Sequence, residues 1–256
     1  MTNDDRWSEV LRETWETLAR TSYRDYFIAS HRGWDDPETW LAQARFDADI
    51  VLHEIPAQKL AAMDILELGC GVGRLAQVIA PLARSYTGFD IAPSMVAEAE
   101  RRQAGLRGAR FLLGDGRRVP EPARDRRYGL AFALAVFYHC PRAVVAELVA
   151  DICSLLTPGG EFRFQLRADA SDPTGIAPLS EAPLTVAPPR ARSEPLSENE
   201  MSTLGQIDGL VGERYYQGDA FRYDEVVPFL RAAFPRGEAR LLRFDPHNIY
   251  VDLRIS

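Results

Sequence analysis

Residues 63–75 read MDILELGCGVGRL: an apolar run breaks into three glycines spaced two apart, Gly69, Gly71 and Gly73, and the chain then turns amphipathic. This stretch narrows the fold more than any other. Glycine reaches backbone conformations closed to other residues, so such a cluster belongs where a strand must turn sharply into a helix. It also belongs where a side chain would hold a ligand off the main chain, as in nucleotide-binding loops. On the glycines alone both readings are open. The dinucleotide fingerprint is not met, because its last glycine falls at a position occupied here by Arg74.

From residue 63 onward short apolar stretches alternate with amphipathic ones. The apolar stretches are ILEL at 65–68, YTGF at 86–89, RFLL at 110–113, GLAFALAV at 129–136 and EFRFQL at 161–166; helical periodicity covers 75–82, 93–104 and 143–156. This alternation predicts a doubly wound α/β fold, a mostly parallel Rossmann-like sheet with helices on both faces. A last helix at 224–234 and two strands at 239–244 and 249–255, joined by a tight DPHN turn, predict a terminal antiparallel hairpin. Residues 1–60 read as an N-terminal helical extension or cap. There Trp7, Val10, Leu11, Trp15 and Leu18 share one face, and a second helix opens at Pro37 behind an acidic cap at Asp35 or Asp36. Residues 61–256 then form one domain, interrupted at about 168–218 by a segment with prolines at 173, 178, 183, 188, 189 and 195. A compact domain rarely keeps so long an excursion without a use.

With 37 acidic residues against 30 basic ones and a net charge of −7, the chain is poorly suited to nucleic acid, whose binding rests on clustered cations. A small-molecule partner is expected instead. The longest apolar run, 130–137, is far short of the roughly 20 residues a membrane span needs, and the acidic start MTNDDRWSEV is no secretory signal. The expectation is a cytoplasmic protein with no membrane partner. The three cysteines, Cys70, Cys140 and Cys153, lack metal-type spacing and fit reduced structural thiols.

Two further strand ends sharpen the reading. Asp90 closes the second strand, where its carboxylate can accept bonds from both hydroxyls of a ribose, or cap the helix over 93–104. GDG closes the third, with Asp115 placed to accept from an adenine amino group while the Gly116 backbone lies along the ring edge. Together with the glycine turn these ends specify an adenosine without demanding a phosphate cradle.

In their order and spacing ELGCGVGR, GFDIAPSM, GDG and LTPGGEFRF resemble the motifs of the class I S-adenosylmethionine-dependent methyltransferases of small-molecule type, over roughly residues 60–168. The resemblance implies S-adenosylmethionine as cofactor and S-adenosylhomocysteine as product. It implies that the backbone around Gly69 and Gly71 holds the methionine portion, with Glu67 acting near it through water. By the same resemblance Asp90 holds the ribose, Ile91 packs on the adenine, and Asp115 with Gly116 reads its edge; Ala133 on the fourth strand joins this set. One departure is Tyr128-Gly129-Leu130, where many members carry an aspartate.

FYHCP places His139 just past the fourth strand, at the carboxyl edge where open parallel sheets bind ligands. Methyl transfer from a sulfonium needs donor and acceptor aligned. A hydroxyl acceptor must also lose a proton, which a histidine with an ordinary pKa of about 6.5 can take. His139 is therefore the candidate base, its alternative role being to cap the helix that follows. The expected reaction is O-methylation of a hydroxyl on a sugar or secondary metabolite. The alternatives are N-methylation of a small amine, which needs no base, and a catalytically silent cofactor-binding partner subunit. Tyr138, Arg214, Tyr215 and Tyr216 are the candidate acceptor contacts, the last three within the 168–218 segment, which is expected to act as a lid. No acid falls in 128–142 to serve metal-assisted catechol methylation, so no metal is expected, and a homodimer is an allowed assembly. Trp7, Trp15, Trp34 and Trp40 read as packing and His31, His53 and His247 as ordinary surface or packing residues, while Tyr23 and Tyr26 are candidates to fold over the cofactor.

Overall fold

The computed structural model describes residues 3–22, 24–29, 34–172, 218–242 and 247–256. Strand β1 (Asp64–Leu68) is buried along its whole length, as an apolar run covered on both faces must be. It sits inside a seven-stranded sheet with β2 (Ser85–Asp90), β3 (Ala109–Leu113), β4 (Tyr128–Ala133), β5 (Leu156–Arg167), β6 (Gly237–Leu242) and β7 (Asn248–Ile255). The strand order is β3-β2-β1-β4-β5-β7-β6. The first five strands run parallel, and β7 inserts antiparallel between β5 and β6. The winding direction reverses between β1 and β4, and that reversal opens a crevice at their carboxyl ends.

Eight helices are described: α1 (Asn3–Ala19), α2 (Arg24–Ala29), α3 (Pro37–Leu52), α4 (Ala57–Ala61), α5 (Ala76–Ile79), α6 (Pro93–Arg102), α7 (Arg142–Ser154) and α8 (Tyr223–Ala233). Because strand side chains alternate, two cores form. Leu66, Ala131 and Phe162 pack with Leu148 of α7, Leu230 of α8 and Trp7 and Leu11 of α1. Ile65, Leu130 and Phe132 pack on the other face with Val51 of α3, Ile79 of α5 and Ala99 of α6. The N-terminal helices therefore share their cores with the sheet.

Several local expectations shift by a few residues. The helix over 75–82 is α5 followed by a single 3-10 turn at Ala80–Leu82, where Pro81 supplies no backbone donor. LTPGG lies within β5, with Gly159 in the left-handed region at φ 73° and an irregular register opposite Tyr128 and Leu130. Asp36 caps α3, accepting from the Thr39 amide at 2.8 Å, with Pro37 in the first turn.

His53 is buried at the end of α3, its ring 2.9 Å from Asp252 of β7 and 2.7 Å from the Ile50 carbonyl oxygen. Burial alone would raise the Asp252 pKa, but the hydrogen bonds from His53 and Arg240 and the charge of Arg163 outweigh it and hold the carboxyl below its ordinary range.

Residues 173–217 and 243–246 lie outside the described set, so most of the 168–218 segment and part of the hairpin turn do too. The two ends of the longer segment lie side by side. Ala168 bridges to Phe221, the Phe221 amide donates to the Arg167 carbonyl at 2.8 Å, and the Gly218 amide donates to the carbonyl of Tyr138. No helix among the described residues is long and apolar enough to cross a membrane.

Candidate active site

A cavity of about 380 Å³ opens at the carboxyl ends of β1, β2 and β4. Gly69, Gly71, Asp90, Ile91 and Gly116 line it, together with the side chains of Trp7, Trp15, Tyr138 and His139.

The glycine turn serves packing and the cavity at different positions. Gly69 and Gly71 both have positive φ, 73° and 51°. A Cβ on Gly69 would collide with the Val136 side chain, whereas one on Gly71 would sit 3.6 Å from Ile28, an ordinary contact. Gly69 is thus required by the loop after β4, and Gly71 leaves bare backbone beside the cavity.

Asp90 fixes that backbone. Its two oxygens accept from the amides of Gly71 at 2.9 Å and Ala92 at 3.0 Å. The residue before α6 is Ala92, which makes no side-chain cap, so Asp90 does not cap that helix. A carboxylate has about four acceptor positions, so these amides, with a further contribution from the Ile91 amide, leave acceptor capacity toward the cavity. Burial raises the Asp90 pKa, opposed by the bonds from Ala92 and Gly71.

Gly116 has φ 85°, and a Cβ there would lie 2.7 Å from Ile91 Cδ1 and 3.4 Å from Trp7 Cζ3. Only bare backbone keeps this slot open. Ile91 and the Gly116 backbone lie too close for a ring to enter between them, so a flat ring lying on Ile91 with the Gly116 backbone at its edge, and ribose hydroxyls at Asp90, is what these residues offer an adenosyl group.

Three other sequence-selected residues lie elsewhere. Asp115 is exposed and accepts from the amides of Arg117 at 2.8 Å and Arg118 at 2.9 Å. Its side chain borders a separate surface hollow, while Gly114 and Gly116 on either side of it line the main cavity. A short carboxylate in a turn satisfies its own downstream amides, and that turns Asp115 outward. Glu67 is buried and bonded to the Tyr86 hydroxyl, on the face of β1 that carries Ile65. Burial pushes its pKa up to about 8 against the opposing effects of Tyr86 and Arg74. Ala133 is fully buried, and Leu134, Ala135 and Val136 form the cavity wall instead.

The loop after β4 is strained and held. Ala135 has φ 56°, a conformation that costs a non-glycine residue on the order of 1–3 kcal/mol. Its amide donates to Gln165 Oε1 at 2.9 Å, and the Tyr138 hydroxyl lies 3.4 Å from the same oxygen while donating to Asn248. One 3-10 turn, Phe137–His139, then presents His139.

His139 is only 9% exposed. Its carbonyl accepts from the Trp7 indole at 2.8 Å, and its ring meets Trp15 edge-on at 5.3 Å. Trp7, Leu11 and Trp15 follow one another at four-residue spacing, one stripe of a helix, and all three line the cavity. The same stripe, read as packing from the sequence, is both packing and cavity wall; its regular spacing was the available signal. Phe27 and Ile28 of α2 also reach the cavity. Arg214, Tyr215, Tyr216, Tyr23 and His31 lie outside the described residues.

Residues 65–160 match the family described as "Methyltransferase domain". Malonyl-[acyl-carrier protein] O-methyltransferase of Serratia marcescens is 28% identical over 137 residues, 51% of this chain and 51% of that protein, so the chain spans about half the length of that curated relative. The structure superimposes on magnesium protoporphyrin IX methyltransferase from Synechocystis PCC 6803 with bound SAH at a TM-score of 0.60, with 16% identity, covering 98% of this chain and 100% of that one. It superimposes on the N-methyltransferase NodS from Bradyrhizobium japonicum WM9, in complex with S-adenosylhomocysteine, at a TM-score of 0.53 and 14% identity, covering 95% and 97%. At these identities the likeness to both solved structures is one of fold.

Proposed function

The chain carries a class I S-adenosylmethionine-dependent methyltransferase domain, and from that premise we propose that it methylates a hydroxyl group on a small molecule, with His139 taking the proton. The observation that carries this reading is the placement of His139 on the same cavity as Gly71, Asp90 and Gly116.

S-adenosylmethionine, when bound, supplies a methyl group made electrophilic by its sulfonium. The chain's own residues do the rest. Asp90 has acceptor capacity toward the ribose hydroxyls, Ile91 offers a face and the Gly116 backbone an edge to adenine, and the backbone around Gly69 and Gly71 faces the amino-acid end. Trp7, Leu11 and Trp15 close the cavity against water, which strengthens polar contacts inside it. On the acceptor side an unprotonated ring nitrogen of His139 takes the hydroxyl proton as the oxygen–methyl bond forms, so no free alkoxide is required. Trp15, edge-on to the imidazole, restricts its orientation.

An amine acceptor would need no such base, and one substitution separates the two readings. His139→Ala keeps the main-chain carbonyl that holds Trp7, so the fold of the site is retained. With an acceptor found by screening hydroxylated and amine compounds for transfer of a labelled methyl group, turnover is expected to fall by about 10²–10⁴ while S-adenosylhomocysteine affinity changes little. Unchanged turnover at saturating acceptor would overturn the role of His139 and favour amine methylation.

A further inference from the structure

Arg74 stands between two concavities. On one side it borders the main cavity together with Asp47; on the other it borders a hollow of about 400 Å³ with Gln77, Arg101, Arg102 and Trp40. Three buried side-chain nitrogens of residues lining this hollow have no hydrogen-bond partner: Arg74 Nε, Arg74 Nη1 and Gln77 Nε2.

Arg74 is deeply set, its side chain only 10% exposed. Its Nη2 pairs with Asp47 at 2.6 Å, and its guanidinium lies 6.0 Å from the centre of the Trp40 ring, which Arg102 also approaches at 5.8 Å. Arg101 and Arg102 share Glu98, and Arg102 also pairs with Asp25, yet among the described residues no carboxylate lines the hollow itself. Three guanidiniums therefore converge on a space whose walls are rich in donors. A buried donor left without an acceptor has given up its water for nothing. The group that best meets these unpaired N–H donors is an oxyanion with two or more acceptor oxygens, which matches the fork geometry of arginine.

We propose that Arg74 and Gln77, with Arg101 and Arg102 at the rim, form an oxyanion-binding site for a carboxylate or phosphate. Two sources can deliver that chemistry. One is the amino-acid carboxylate of the cofactor, reached because Arg74 also borders the main cavity; this source rests on the function proposed above. The other is a phosphate-bearing solute in the hollow.

Calorimetry with inorganic phosphate, in the absence of any adenosyl compound, tests the site directly. The wild-type chain is expected to bind phosphate saturably, and Arg74→Met and Gln77→Leu each to weaken it by about tenfold or more. Thermal melts identify a misfolded Arg74→Met, in which case Gln77→Leu carries the test. Titrations with S-adenosylhomocysteine and with 5′-methylthioadenosine, which lacks the amino-acid carboxylate, separate the sources. If the former competes with phosphate and loses affinity in Arg74→Met while the latter keeps its own, the carboxylate belongs to the cofactor. If phosphate and S-adenosylhomocysteine bind together without competition, the occupant is a separate solute. Phosphate binding with no affinity for either adenosyl compound leaves the oxyanion site standing and sinks the methyltransferase reading. Absence of phosphate binding, together with equal losses for both adenosyl compounds in Arg74→Met, would show that Arg74 is only structural and overturn the proposal.

Discussion

The two walls of the cavity are made of different material. One is backbone: the turn at Gly69–Gly71, the end of β2 at Asp90 and the loop at Gly116, the turn tied to the Asp90 carboxylate through the Gly71 amide and the loop to the Asp90 carbonyl through the Gly114 amide. The other is aromatic side chain, contributed by α1 and docked onto the turn after β4 through a hydrogen bond that spans 132 residues of sequence. The backbone wall is specified by residues whose type is dictated locally, glycine where φ is positive and aspartate where amides need an acceptor. The aromatic wall exists only once the chain has folded.

If that contrast holds, substitution in the backbone wall should damage fold and binding together, and the largest effect should come from Gly69. Gly69→Ala must place a Cβ against Val136 and hold alanine at positive φ. Overpacking costs about 1–3 kcal/mol and the left-handed conformation about 1–2 kcal/mol more. Gly71→Ala meets no close neighbour, its Cβ standing 3.6 Å from Ile28, and should lose only the conformational part. Urea denaturation of the two variants measures the difference. Equal losses would mean that the loop after β4 yields freely and that Gly69 is not a packing requirement.

The same contrast explains what could be read from the sequence. The parallel sheet, the terminal antiparallel strands and the residues Gly69, Gly71, Asp90 and Gly116 were legible because each depends on a short stretch of chain. The outward turn of the Asp115 side chain was not legible, because a turn carboxylate has its own downstream amides to satisfy and a shift of one residue decides which side chain faces inward. Glu67 illustrates strand alternation: it shares a face with Ile65 and finds Tyr86 there, while Leu68 reaches the cavity. Trp7 and Trp15 carried a clear helical stripe, yet nothing in the sequence says which surface a stripe will cover. Arg74 and Asp47, 27 residues apart by their numbering, gave no signal of pairing at all.

Asp90 provides the intermediate effect and a pH dependence with a definite sign. Asp90→Ala should weaken S-adenosylhomocysteine binding by about 1–3 kcal/mol, because the ribose hydroxyls would be buried without acceptors. In the free protein burial raises the Asp90 pKa, whereas hydroxyl donors favour the ionised form. Binding therefore expels a proton, and affinity should rise with pH through the raised range, an increase that Asp90→Asn abolishes. Calorimetry in buffers of different ionisation enthalpy detects the proton directly. No proton release, or a parallel pH slope in the asparagine variant, would remove Asp90 from the binding wall.

The smallest effect is expected at Trp7, where the two walls meet. Its ring closes the slot beside Gly116, and its indole N–H holds the carbonyl of His139. Trp7→Phe keeps much of the ring and removes the donor, so it separates closing the slot from latching α1 to the turn that carries His139. A neutral hydrogen bond contributes about 0.5–1.5 kcal/mol net, enough to change local opening without unfolding the domain. Amide hydrogen exchange in α1 should therefore quicken by about twofold to tenfold, while S-adenosylhomocysteine affinity moves far less than in Asp90→Ala. If exchange is unchanged, the apolar stripe of α1 docks without help from the latch, and the aromatic wall is as self-sufficient as the backbone wall. If affinity instead falls as far as in Asp90→Ala, the indole belongs to the binding wall and the division between the two walls is lost at this residue.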